Sequence, residues 1–181
     1  METWADRFSR DSGNVLHAGG ACRVQGVELG LNLDRARLSD KTVVFSGTQI
    51  KWARPVSDTL AVGLAVAATW RNKPSGYAGS TVVVPLTWQA GDEWLVHVNV
   101  GRDFLRGDAD EPRVGIAIEW MPSDSWSFVA ERVRELATNY WRAGARLALM
   151  PAVTVDLSHA RGINEDAPSR WAVGVTWTFD R

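Results

Sequence analysis

Residues 93–101 read EWLVHVNVG, and this run decides the fold: Trp94, Val96, Val98 and Val100 fall on one face of an extended chain, while Glu93, His97, Asn99 and Gly101 fall on the other. Alternation at period two marks a strand with one apolar and one polar face, because successive side chains of a strand point to opposite sides. The split recurs downstream, with Val114, Ile116, Ile118 and Trp120 set against Arg113, Gly115, Ala117 and Glu119. Upstream it sets Val82, Val84, Leu86 and Trp88 against Thr81, Thr87 and Gln89.

Runs of this kind, broken by Gly, Pro, Asp, Asn and Ser, predict strands over 24–35, 42–54, 59–71, 80–90, 93–104, 112–121, 125–134, 139–149, 152–160 and 170–179. No run approaches the roughly 18 to 20 consecutive apolar residues of a spanning helix, so a membrane crossing requires a closed sheet. The polar faces are rich in small residues, as in Ala61, Gly63, Ala65, Ala67 and Thr69, where a soluble exterior would carry Lys and Glu. The apolar faces are therefore expected to meet lipid and the small polar faces to line a tight interior. The expected fold is all-β: an antiparallel up-and-down transmembrane β-barrel of about ten strands, with twelve as the alternative, since even counts prevail in bacterial single-chain barrels. Residues 1–22 are weakly patterned and read as an N-terminal tail, small plug or remnant, and 23–181 as the barrel.

Tryptophan placement supports the membrane reading. Trp52, Trp88, Trp94, Trp120, Trp126 and Trp177 fall beside short turns at 55–58, 90–92, 122–124 and 150–152. Trp70, Tyr140, Trp141 and Trp171 fall beside more polar connections expected to be longer, at 72–79, 105–112, 135–139 and 162–169. Two aromatic belts separated by aliphatic positions match the two interfaces of a bilayer, with short periplasmic turns and longer external loops. The expected location is the bacterial outer membrane; no signal segment opens the chain, so a signal is expected to have been removed or truncated.

Other classes find less support. A formal net charge of −1, with Arg dispersed among Asp and Glu, gives no basic stripe for nucleic acid. The one cysteine, Cys22, cannot form an internal disulfide and reads as a buried or idle thiol. No Cys and His cluster suggests a metal, and no cofactor is expected. Ser158 and His159 lie near Asp156, but alternation puts them on opposite faces of a strand, which spoils a nucleophile–base pair, so no catalytic residue is assigned and no enzyme is expected. A lipid-modifying or purely structural barrel without a pore remains the alternative to a channel. The acidic residues Asp108, Asp110, Glu111, Glu165 and Asp166 could attract a divalent ion, although solvated charge explains them as well.

The inner face is expected to carry Glu28, Lys51, His97, Asn99, Glu119, Glu131, Arg142, Arg146 and Asp156. Of these, His97, Asn99, Glu119, Glu131, Arg142, Arg146 and Asp156 are the candidate lumen-lining residues, acting on a permeant through charge and hydrogen bonding. His97 and Glu119 are placed to meet across adjacent strands. In a barrel of eight to ten strands the balance tips towards a salt-bridged interior that stabilises the wall, because little lumen is left.

The last strand, from Ala172 to Phe179, has Gly174 followed at fixed spacing by Trp177 and Phe179 on one face. It resembles the C-terminal targeting signal of outer-membrane barrels, except that Asp180 and Arg181 follow the usual terminal aromatic. Over residues 93–179 the chain also resembles the outer-membrane transporter-like family of the MetA pathway of phenol degradation, and small porin-like proteins. The resemblance is carried by the run from Val96 to Gly101, by Ile118, Glu119 and Trp120, by Phe128, Val129, Ala130 and Glu131, and by Val155, Asp156, Leu157 and Gly162. It implies an outer-membrane channel or transporter for small, often hydrophobic or aromatic compounds. The implied partners are outer-membrane lipid, lipopolysaccharide and the barrel-assembly machinery.

Overall fold

In the computed structural model, which describes residues 1–8, 13–38, 41–164 and 167–179, the chain folds into twelve antiparallel strands. They are β1 (Glu2–Phe8), β2 (Asn14–Val24), β3 (Val27–Leu38), β4 (Lys41–Pro55), β5 (Leu60–Asn72), β6 (Ser75–Gln89), β7 (Trp94–Leu105), β8 (Glu111–Ser123), β9 (Trp126–Glu135), β10 (Thr138–Met150), β11 (Val153–Gly162) and β12 (Arg170–Trp177). Each pairs with its sequence neighbours, and β1 pairs with β12 to close the barrel. The seam runs from Glu2 opposite Thr176 to Phe8 opposite Arg170. Closure leaves no unpaired sheet edge, the condition for strands in an apolar solvent.

The twelve-strand alternative is thus the observed one, and the reading of residues 1–22 as a tail or plug is corrected. Glu2–Phe8 and Asn14–Val24 supply the two strands that complete the circle. Their pattern is faint because β2 presents Ala18, Gly20 and Cys22 on its outer face where other strands present Val, Leu or Trp. Cys22 is exposed there, not buried.

Two connections expected to be long are tight. β5 and β6 are joined by residues 73–74 alone, and β9 and β10 by 136–137. The second turn holds Leu136 at φ 46° and Ala137 at φ 65°. A two-residue hairpin of this hand needs positive φ at both central positions, a demand normally signalled by Asn or Gly; Leu and Ala gave no such signal. The link at 106–110 is the longest fully described one at that end, while 25–26, 56–59, 90–93, 124–125 and 151–152 form the opposite, short-turn end.

The large apolar side chains cover the outside. Leu31 is 67 % exposed, Ile116 52 % and Val173 50 %, whereas the buried residues are few and mostly small or polar. This inverts the soluble pattern, in which such residues fill a core. Strands about 4.8 Å apart and tilted near 40° advance about 6.3 Å around the circumference each, so twelve give a backbone radius near 12 Å. Side chains reaching about 6 Å inward leave roughly 12 Å across, where eight strands would leave about 4 Å. The expectation of little free lumen followed from the lower strand count.

The seam is open to a direct test. Ala5 lies opposite Val173, and directly opposed antiparallel residues sit within the Cα separation a disulfide accepts. In a Cys22→Ser background, Ala5→Cys with Val173→Cys is expected to cross-link on mild oxidation, seen as a reduction-sensitive mobility change. A folded protein that fails to cross-link would show β1 to lie elsewhere.

Candidate functional site: a charged lumen with one strap across it

The strand alternation that turns the aliphatic residues outward turns most of the charge inward, onto adjacent strands and at matching heights. On β7 and β8, His97 Nε2 lies 3.2 Å from Glu119 Oε2, and His97 Nδ1 lies 3.0 Å from the Thr87 hydroxyl of β6. Arg142 of β10 donates to Glu131 of β9 at 3.1 Å. Arg146 of β10 donates to Asp156 of β11 at 2.7 Å. Lys51 Nζ of β4 lies 3.3 Å from Glu28 of β3, with Arg23 of β2 at 3.6 Å. Asn99 stands on the same face of β7 as His97, half-buried opposite Pro85.

Several inner-wall glycines let these long side chains lie along the wall. A Cβ at Gly30 would meet the Gln49 side chain at 2.6 Å, one at Gly47 would meet Asn32 at 3.1 Å, and one at Gly115 would meet Glu131 at 3.4 Å. The space beside each glycine is taken by its neighbour's chain, which would otherwise project towards the axis.

A second group, nearer the long-loop end, was not foreseen. Asp103 is only 2 % exposed; it accepts from Thr81 at 2.6 Å and from Arg113 Nε through both oxygens at 3.1 and 3.2 Å. Arg113 donates onward to Glu135 at 3.3 Å. Glu135 also accepts from Arg170 at 3.2 Å and faces Arg142 at 3.8 Å, and Arg170 approaches Asp6 of β1 at 3.9 Å. A charged chain therefore runs from β6 around to β1.

One link in it is different in kind. Glu135 is on β9 and Arg170 on β12, with two strands between them. Their contact is a strap across one side of the lumen. Beneath it Arg170 lies over the Tyr140 ring at 5.2 Å, and Tyr140, Val133 and Ala160 form the buried apolar cluster. Tyr140 is therefore an inner residue, 8 % exposed, and is corrected from the outer aromatic belt. A cavity of about 350 Å³ adjoins the strap, lined by Asp6, Glu135, Arg142, Ser158, Arg170 and their small neighbours.

The candidate interface tryptophans face outward. Trp52, Trp70, Trp88, Trp94, Trp120, Trp126, Trp141, Trp171 and Trp177 are all between 39 % and 56 % exposed. At the short-turn end Trp94 stacks on Trp120 and Trp126 on Phe128, with centroids 5.9 and 5.8 Å apart. Trp177 stacks on Phe179 at 5.2 Å, and Gly174 is inward and buried. Ser158 turns into the lumen while His159 packs on outer Trp171 at 4.5 Å, so they do share no face. Of the acidic loop residues, Asp110 pairs with Arg102 at 3.7 Å and Glu111 with Arg134 at 3.1 Å, which removes two carboxylates from any cation site. Glu165 and Asp166 lie outside the described residues.

These features define a porin-type barrel: closed, antiparallel, greasy outside and charged within. The chain belongs to the family described as Uncharacterised conserved protein UCP029691, whose model matches residues 1–179. That family, and not the MetA-pathway one, is the one the comparison supports. None of the curated proteins compared with the chain matches it. Among solved structures, a KdgM porin in complex with disordered oligogalacturonate is similar with a TM-score of 0.80 at 9 % identity, covering 99 % of this chain and 98 % of that one. The NanC porin is similar with a TM-score of 0.77 at 10 % identity, covering 98 % and 99 %. The Ralstonia pickettii toluene transporter TbuX reaches a TM-score of 0.58 at 12 % identity, covering 97 % of this chain and 69 % of that one. At such identities the likeness is one of fold.

The strap makes a stability prediction. Arg170→Met leaves Glu135 and Asp6 short of a cationic partner and is expected to cost about 1.5–3 kcal/mol, the usual worth of a hydrogen bond to a charged group. Adding Asp6→Asn should recover part of that loss, because Arg170 is the one cation within 4 Å of buried Asp6 among the described residues, whereas Glu135 keeps Arg113 and Arg142. Urea unfolding in detergent micelles, followed by tryptophan fluorescence, reads both; an Arg170→Met protein as stable as the wild type would mean that the strap does not form.

Proposed function

We propose that the protein is a passive channel of the bacterial outer membrane for small hydrated polar solutes. The observation that carries this reading is the opposition of the two faces of one wall: exposed Leu, Ile, Val and Trp outside, and Arg, Asp, Glu and His in hydrogen-bonded pairs inside. A wall of this polarity is stable only with lipid outside and water or polar groups inside. The outward Trp rings then sit at the two interfaces, and Gly174, Trp177 and Phe179 serve as the signal read by the barrel-assembly machinery. No residue is assigned a catalytic role.

Size and charge limit the permeant. A bore near 12 Å, narrowed on one side by the strap, admits small molecules only. His97, Asn99, Glu119, Glu131, Arg142, Arg146 and Asp156 act on them through charge and hydrogen bonding. Because cations and carboxylates lie side by side, their fields largely cancel, and ion selectivity is expected to be modest. A lining of this kind offers hydrophobic or aromatic compounds little, so polar solutes fit better than the compounds implied by the MetA-pathway resemblance, or than a substrate like the one for which TbuX is named. One observation favours the second reading, a structural barrel without a pore: the strap and its cavity occupy part of the section near the long-loop end.

Planar-bilayer conductance of refolded protein separates the two. Discrete steps are expected; Glu131→Gln should move the reversal potential in a salt gradient towards anion preference and Arg146→Gln towards cation preference, by a few millivolts to about ten because each removes one partner of a pair. Folded protein without steps would support the closed barrel, and steps indifferent to both substitutions would place the ion path away from these residues.

A further inference from the structure

Charge on the outer wall is distributed quite differently from charge within. Among the described residues, the outward positions of the strands carry no Asp or Glu, and every ionised side chain there is an arginine. Arg7 on β1, Arg35 and Arg37 on β3, Arg102 on β7, Arg132 on β9 and Arg161 on β11 are all exposed. Each lies within three residues of its strand's end at the long-loop side, which is about 10 Å at 3.3 Å per residue. The short-turn end has one outward counterpart, Arg54, beside Trp52.

The arginines are interleaved with the upper tryptophans. Trp141 stands directly opposite Arg132 on one side and Arg161 on the other, so β9, β10 and β11 present an Arg–Trp–Arg row across the outer surface. The Arg132 guanidinium lies over the Trp141 ring at 5.8 Å. Arg7 is directly opposite Trp171. Arg102 faces Asp110 at 3.7 Å and Arg134, a further outward arginine near the end of β9, pairs with Glu111 at 3.1 Å, yet among the described residues Arg7, Arg35, Arg37, Arg132 and Arg161 have no carboxylate partner.

We infer that this collar is a docking surface for the phosphorylated glycolipid headgroup of the outer leaflet, the lipid A portion of lipopolysaccharide. A guanidinium at the depth of a tryptophan belt has hydrocarbon below it and headgroups beside it; its stem packs on the apolar wall and its planar donor fork meets phosphate two bonds at a time. The absence of outward carboxylates fits the same partner, because an acidic side chain at that depth would face a phosphate. Both phosphates of one lipid A can be met by arginines on different strands, and the Arg132, Trp141, Arg161 row provides such a pair with an aromatic platform between them. The one-ended distribution also orients the barrel, with the collar in the glycolipid leaflet and the short turns on the other side. This goes beyond the channel reading but rests on the outer wall facing lipid.

The test uses refolded full-length protein in detergent, titrated with bisphosphorylated lipid A, dephosphorylated lipid A, phosphatidylglycerol and inorganic phosphate, with binding read by native mass spectrometry. Lipid A is expected to bind at least tenfold more tightly than its dephosphorylated form or phosphatidylglycerol. Arg132→Gln with Arg161→Gln should lose about tenfold of that affinity, and Arg54→Gln should lose none. Equal binding by the double variant, or equal binding of phosphatidylglycerol, would overturn the proposal, as would inorganic phosphate competing at the same concentration as lipid A. Bilayer conductance of the double variant keeps the two readings apart: unchanged steps with weakened lipid A binding support the collar, and a wild type that gives steps but does not distinguish lipid A sinks the collar while leaving the channel.

Discussion

The closing ladder between β1 and β12 is the contact on which the rest depends. A strand in hydrocarbon has no water to satisfy its N–H and C=O groups, so an open edge there would leave several unpaired groups at several kcal/mol each. Closure removes both edges at once. It also fixes the remaining geometry: antiparallel neighbours all the way round require an even count, both ends of the barrel-forming chain fall at the short-turn end, and twelve strands set the bore. Two strands fewer would have taken about 4 Å from its diameter, about a third of the bore.

Given that bore, the interior solves a packing problem that smaller barrels do not face. Ion pairs between neighbouring strands, such as Arg142 with Glu131 and Arg146 with Asp156, hold their charges against the wall, and the space beside Gly115 takes up the Glu131 side chain. Partly exposed pairs of this kind contribute little each to stability. Their larger effect is positional, because they keep long side chains from projecting into the lumen. The strap from Arg170 to Glu135 is the exception, and it lies where Tyr140, Val133 and Ala160 give it an apolar floor. There the pair is shielded from water on one side, so the loss of one partner is felt by the other.

What the sequence made legible follows from the range of each interaction. Period-two alternation is local, so the ten strands from β3 to β12 can be read one at a time, with Trp94 to Gly101 the clearest. β1 and β2 escape because seven residues of β1 give too short a run and the outer face of β2 is small. Pairs on adjacent strands, such as His97 with Glu119, are also within reach once face and neighbour are known. Asp103 and Arg113 continue the inward parity of strands already recognised and could have been found by extending the alternation. The strap could not, since its partners lie in a segment read as a tail (Asp6), in an expected loop (Glu135) and at a strand boundary (Arg170), and their meeting depends on the number of strands between them.

The two faces of the wall also explain why, among the described strand residues, charge of both signs occurs inside while arginine is the charged residue outside. Within the lumen a carboxylate finds a guanidinium on the next strand, and the pair keeps water or polar neighbours, so Asp and Glu are tolerated wherever a cation is in register. On the outer face no aqueous neighbour exists over the aliphatic band, and none of Leu29, Leu31, Val98, Ile116 or Val173 alternates with a charge on its own side. Only near a headgroup layer does ionisation become affordable, and there the long, weakly hydrated arginine stem spans the step from hydrocarbon to polar surface in a way that the short Asp side chain does not. The sign and the depth of the outer charges are thus set by the solvent of that face, just as the pairing of the inner charges is set by theirs.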